Sequence, residues 1–239
     1  MAGAIAQTKA NAVDTSATTI ASGSFGSDVT SGNKLYVIAN AGDDQTITPS
    51  KNSGTATIGS FTSLGSVQEA GVLDKLEHFV ADITGTGSLD ILITYGASTD
   101  RRCVLAIEVS GVSGIDVNNE VTSTGDNPDP NPELSVTVTA QPAFAIAFGT
   151  LYQGGTPHKE SGSPWTEDVA VWTGVANACV QIQAITATGA LGVQFANASV
   201  DRSNFCMAVF TDGAEAPADL GNKSRISRFG AQPMLRGPF

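Results

Sequence analysis

The chain has 239 residues, enough to bury a substantial core in a single domain. It is 41% hydrophobic and only 15% charged, with 26 glycines; that excludes extensive disorder and suits close-packed strands joined by tight turns. A net charge of −11 argues against nucleic acid or an anionic membrane as partner, because both repel an acidic body.

The charge is uneven along the chain. Residues 1–212 hold 21 of the 23 acids and 8 of the 12 bases, a net −13, whereas residues 213–239 carry two acids and four bases, a net +2. Three units follow as an expectation: an N-terminal arm (1–14), a β-sandwich domain (15–212) and an extended basic C-terminal arm (213–239). Met1 to Thr19 has no basic start followed by an apolar run, and no apolar stretch is long enough to span a bilayer, so a soluble protein made in the cytoplasm is expected.

From Leu35 onward the dominant signal is alternation with a period of two, in short runs bounded by Gly, Asn, Asp and Pro. Leu35–Asn40 and Leu76–Ile83 show it weakly. In Gln68–Phe79 a helical spacing competes, but Gly71 and the alternation of Leu76, His78 and Val80 weaken the helix. Leu89, Ile91, Ile93 and Tyr95 share one strand face, as do Cys103, Leu105, Ile107 and Val109 with Glu108 opposite. Val112–Glu133, with prolines at 128, 130 and 132, reads as an extended surface loop. Leu134, Val136 and Val138 then resume the alternation.

Ala143–Phe148 has Phe144, Ile146 and Phe148 on one side and only methyl groups on the other, so both faces of this strand must be covered, by a loop or by another subunit. Val169–Thr173, Val180–Ile185, Leu191–Phe195 and Phe205–Val209 complete roughly a dozen strands. With no helical pattern between them, the predicted fold is an all-β antiparallel sandwich of jelly-roll type, and internal repeats are not apparent.

Catalytic machinery is not legible. His78 lies in a strand-like run and reads as structural or surface; His158 reads as a polar turn residue. No CxxC, HxH or HExxH spacing occurs, so no metal and no cofactor are expected. Asp126, Asn127, Asp129, Asn131 and Glu133 offer oxygens as a calcium loop does, but the intervening prolines oppose wrapping. Gly111-Val-Ser113-Gly114 fails the nucleophile-elbow spacing. Cys103, Cys179 and Cys206, odd in number and set in apolar sequence, read as buried free thiols.

Two binding surfaces remain. Tyr152, Trp165 and Trp172 offer rings for stacking on a sugar, although paired tryptophans also serve cores and interfaces. In the C-terminal arm, Ile226, Phe229, Met234, Leu235 and Phe239 alternate with Arg225, Arg228 and Arg236; apolar anchors between arginines suit docking onto an acidic partner, an identical subunit included.

Ser31-Gly-Asn33 leading into Leu35-Tyr-Val-Ile-Ala, the strand Ala106-Ile-Glu-Val-Ser-Gly-Val112 ending in a turn, and a late tryptophan loop around Trp165 together give the chain a resemblance. Over residues 15–212 it resembles the β-sandwich structural proteins of tailed bacteriophage particles, of the capsid cement or decoration type. The resemblance implies a virion component assembled in the host cytoplasm. Its expected partners are the major capsid protein or other virion subunits, including copies of itself, and it implies no catalytic residue. A carbohydrate- or receptor-binding module of a tail or fibre is the alternative.

Overall fold

The computed structural model describes residues 3–68, 74–123, 134–140, 143–151, 158–159, 163–172, 177–196 and 203–213. Among them the chain is all-β, as its alternation predicts, with eighteen strands and no helix. The count exceeds a dozen because several strands are two residues long and because the edge strands, poor in apolar residues, are silent in the sequence.

The first half contains β1 (Ala4–Val13), β2 (Ala17–Ala21), β3 (Lys34–Ala41), β4 (Ile47–Ser53), β5 (Thr57–Ile58), β6 (Thr62–Gln68), β7 (Lys75–Gly85), β8 (Asp90–Thr99) and β9 (Arg102–Ser110). One sheet runs β1-β9-β3-β7, with β5 and β6 both along the outer edge of β7; a smaller sheet runs β2-β8-β4. First and last strands lying side by side, with mostly chain-distant neighbours, is jelly-roll winding.

The second half repeats this plan. It contains β10 (Val112–Ser123), β11 (Leu134–Val138), β12 (Ala143–Leu151), β13 (His158–Lys159), β14 (Thr166–Val171), β15 (Ala178–Ile185), β16 (Gly189–Val193), β17 (Phe195–Ala196) and β18 (Ser203–Asp212). Its large sheet runs β10-β18-β12-β15-β14, strand for strand the order β1-β9-β3-β7-β6. The small pairs β11-β16 and β13-β17 stand where β2-β8 and β4-β8 stand in the first half. Even the bulges agree: Ile5 and Gln7 face Val109 and Glu108, while Ile115 and Val117 face Phe210 and Val209. The chain is therefore two jelly rolls in tandem. Their sequences share so few residues at matching positions that the repeat is invisible without the strand order.

Four layers result, with three apolar cores between them. The small sheet of the first half packs on its large sheet through Ile20, Ile91 and Ile93 against Val37, Phe79 and Val104. The two large sheets face each other through Tyr36, Ile38, Leu105 and Ile107 on one side and Phe144, Ile146, Phe148 and Phe210 on the other. Leu134, Val136 and Leu191 then cover the far face of the second large sheet at Ala145, Ala147 and Met207. The methyl face of β12 is thus covered by the chain's own outer sheet, and its Phe–Ile face by the first jelly roll. Each fully buried Phe, Leu or Ile contributes about 1.5–3 kcal/mol.

Two expectations change and one is decided. Residues 1–14, read as an arm, contribute β1, which pairs with β9 from Ala4 to Val13 and is an integral sheet edge. Val112–Ser123, read as loop, is β10; its two bulges reset the alternation and hide the strand. Lys75–Phe79, where a helical spacing competed with the strand reading of Leu76–Ile83, lies in β7 as the alternation predicts, its alternate faces serving two cores.

Candidate functional site

The join between the jelly rolls carries a buried polar chain. From β7, His78 is wholly buried; its Nδ1 lies 2.7 Å from the Tyr36 hydroxyl on β3, and its Nε2 lies 2.5 Å from Glu120 Oε1 on β10. Asn118 Nδ2 donates to the same Glu120 oxygen at 3.1 Å and to the Leu64 carbonyl on β6 at 2.7 Å. Beyond Tyr36, the Cys206 sulfur on β18 sits 3.7 Å from the hydroxyl. Gly65 on β6 makes room, since a Cβ there would come within 2.3 Å of the carboxylate.

Burial, reinforced by Cys206 and Glu120, raises the Tyr36 pKa well above its ordinary value. The phenol therefore keeps its proton, and the imidazole bridges it to Glu120, Nδ1 facing the Tyr36 hydroxyl and Nε2 the carboxylate. Burial pushes the Glu120 carboxyl up, but hydrogen bonds from His78 and Asn118 and attraction to His78 outweigh it and hold the group below its ordinary value. Burial also raises the Cys206 thiol despite its contact with Tyr36. A protonated, fully buried thiol is no nucleophile. The arrangement ties β3, β7 and β18 to β10 and β6, with the side chains of His78, Tyr36 and Cys206 fully buried.

Superposing the strand orders places Tyr36, His78 and Glu120 on Ile146, Val180 and Ala10. All three counterparts pack in the same apolar core at the opposite end of the join. The same job is done without polarity at one end and with it at the other. The sequence placed His78 in a strand but missed its partner, because Glu120 fell in a segment read as loop.

The remaining site residues divide clearly. Trp165 is 1% exposed and its Nε1 donates to Gly192 O at 2.9 Å; Trp172 is 4% exposed, donates to Val104 O at 3.1 Å and meets Phe148 edge-on. Both indoles are core residues with no open face for a sugar, which corrects the stacking surface; Tyr152 lies outside the described residues. His158 is in strand β13, its backbone opposite Ala196, rather than in a turn. Ser113 Oγ lies 2.8 Å from Thr211 Oγ1 across the β10–β18 ladder. Cys103, Cys179 and Cys206 are buried thiols outside any disulfide. Among the described residues no group of three His, Cys, Asp or Glu side chains is placed to hold a metal ion; the Asp126–Glu133 oxygens fall outside them. So do the arm residues Arg225, Ile226, Arg228, Phe229, Met234, Leu235, Arg236 and Phe239.

A second carboxylate is equally engaged and was equally hidden. Glu108 is 2% exposed and accepts from Thr30 N at 2.7 Å, Asn33 Nδ2 at 2.6 Å and Gln7 Nε2 at 2.6 Å, pinning the β2–β3 connection and β1 to β9. Comparison with known protein families, curated proteins and solved structures finds no match.

Two expectations follow from the polar chain. Glu120 has a lowered folded-state pKa, so its contribution is complete above the unfolded carboxyl value of about 4.3 and is lost as pH falls through the lowered folded value. Thermal melts should show Glu120→Gln less stable than the parent at pH 7, by about 1–2 kcal/mol, with the gap closing toward pH 3. Separately, His78→Val alone leaves Tyr36 and Glu120 without their partner and should cost about 2–4 kcal/mol in denaturant unfolding. Combining it with Tyr36→Ile and Glu120→Ala, the residues of the opposite end, should recover most of that loss.

Proposed function

We propose that this chain is a non-enzymatic structural component of a bacteriophage virion, a capsid cement or decoration protein that binds neighbouring capsid subunits through its sandwich surface and terminal segments. The observation that carries this reading is the use made of the reactive side chains. Among the described residues, His78, Tyr36 and the thiols of Cys103, Cys179 and Cys206 are all buried and engaged in packing or hydrogen bonds. What remains for function is surface.

Composition supports the same direction. The acidic body favours protein partners over nucleic acid and anionic membranes, and the +2 C-terminal segment with its interleaved anchors complements an acidic neighbour, another copy included. The resemblance of residues 15–212 to phage sandwich proteins supplies the virion setting, with assembly in the host cytoplasm.

Cryo-electron microscopy and protein mass spectrometry of purified particles encoding this chain test the reading. The expected result is a four-layer β density repeated at symmetry-related positions on the capsid exterior. Particles that lack the protein altogether would overturn the proposal, and density confined to the tail would overturn its capsid assignment.

A further inference from the structure

Strand β10 is where the chain passes from one jelly roll to the next, and it is pinned on both faces. Gly111, at φ +70°, makes the turn between Ser110 of β9 and Val112 of β10. Toward the first jelly roll, the Glu120 carboxylate meets His78 Nε2 on β7, and Asn118 Nδ2 donates to the Leu64 carbonyl on β6. Away from it, Asn119 Nδ2 donates to Ser135 O on β11 at 2.9 Å. Asp116, the residue set out by the second bulge, accepts from Thr139 N at 2.7 Å, from Ala140 N at 3.1 Å and from the Thr139 hydroxyl. Two carboxylates on one strand thus tie it to its neighbours on either side.

Both are held below their ordinary pKa values. For Asp116, as for Glu120, burial pushes the carboxyl up and hydrogen bonds outweigh it, here those from Thr139 and Ala140. Each contribution is therefore complete above the unfolded values of about 3.9 for Asp and 4.3 for Glu, and is lost as pH falls through the lower folded values. The groups that face Glu120 are His78 from β7, Tyr36 from β3 and Cys206 opposite it on β18; β6 presents no titratable side chain, and Lys75 and Glu77 pair with each other on the other face of β7. Residues 134–140, which face Asp116, carry none, and the Lys34–Asp82 pair lies across a small cavity from Gly114 and Ile115 at the start of the strand. Once Glu120 takes a proton, any charge on the buried His78 imidazole has no counter-charge among these groups.

β10 is also the strand best placed to leave. Among the described strands it pairs only with β18, two bulges interrupt that ladder, and every residue from Ser113 to Thr122 is at least partly exposed. Behind it, β18 is buried from Ser203 to Phe210. An edge with few fully buried groups opens at a lower free energy than the core it covers.

We propose that β10 is an acid-operated latch: protonation of Asp116 and Glu120 releases residues 139–140 on one face and the first jelly roll on the other, and the strand lifts off β18 while the rest of the four-layer stack stays folded. This is independent of any place in a virion.

Hydrogen exchange read by peptide mass spectrometry, from about pH 7 to about pH 3 and corrected for the intrinsic rate at each pH, tests the latch. Peptides spanning residues 113–123 are expected to lose about tenfold or more of their protection below about pH 4, while those of β3, β9 and β12 keep theirs. In the full chain carrying Asp116→Asn and Glu120→Gln, the same peptides should already be weakly protected at pH 7 and should no longer respond to pH. Loss of protection in all four strands at one pH would overturn the inference, because that is ordinary acid unfolding. So would undiminished protection of 113–123 at pH 3, or a double variant as well protected at pH 7 as the parent. The parent series alone decides between these outcomes if the double variant fails to fold.

Discussion

Burial of the two large sheets against each other is the constraint on which the molecule rests. Each large sheet already has one face covered by its own small sheet, so the facing surfaces of β3, β9, β12 and β18 would be exposed if the jelly rolls separated. Those surfaces carry Tyr36, Ile38, Leu105, Ile107, Phe144, Ile146, Phe148 and Phe210, each at most 4% exposed in the joined state. At roughly 25 cal/mol per Å² of apolar surface removed from water, the join is a principal source of stability rather than a loose contact between domains. It also explains composition: strands covered on both faces have little use for charge, hence 15% charged residues in a chain of this length.

Within that join the repeat is conspicuously broken. Ala10, Val180 and Ile146 fill one end, and a small slip between the sheets would cost them little, because apolar packing has no direction. At the other end Tyr36, His78 and Glu120 must meet at 2.7 and 2.5 Å, and a slip of one residue abolishes both hydrogen bonds while leaving a buried imidazole unsatisfied. The apolar end and the bulk of the interface provide affinity; the polar end fixes how β10 crosses β6 and β7. Gly65 belongs to the same device, since any larger residue pushes the Glu120 carboxylate off His78.

Legibility in the sequence followed burial. Most strands read from alternation (β3, β7, β8, β9, β12, β15 and β18) are flanked on both sides, where one or both faces demand Val, Ile, Leu or Phe; β11, β14 and β16 were read as well, although each lies at an edge or in a two-stranded pair, because Leu or Val recurs at every second residue. Those missed, β1, β2, β4, β6 and β10, are sheet edges, and their sequences are dominated by Ala, Thr, Ser and Asn. In β10 two bulges also shift the face of successive residues, so the period of two dissolves. The polar site was half visible for the same reason: His78 sits in an interior strand, its partners Asn118 and Glu120 on an edge. The duplication left no sequence trace because jelly-roll winding asks only for apolar alternation at matching places, and Lys34 and Phe144, or Asp82 and Ala184, satisfy the same backbone position with opposite chemistry.

The functional proposal inherits its force from the same fact. Under that proposal the molecule acts through its surface, and the surface depends on the four-layer stack staying whole. Native-state hydrogen exchange measures that most directly. If the two jelly rolls are one cooperative unit, the slowest amides of β3 and β9 and those of β12 and β18 will exchange with the same free energy, equal to that of global unfolding. Should either set exchange through a separate opening several kcal/mol lower, the jelly rolls would be independent domains and the account of the join would fail.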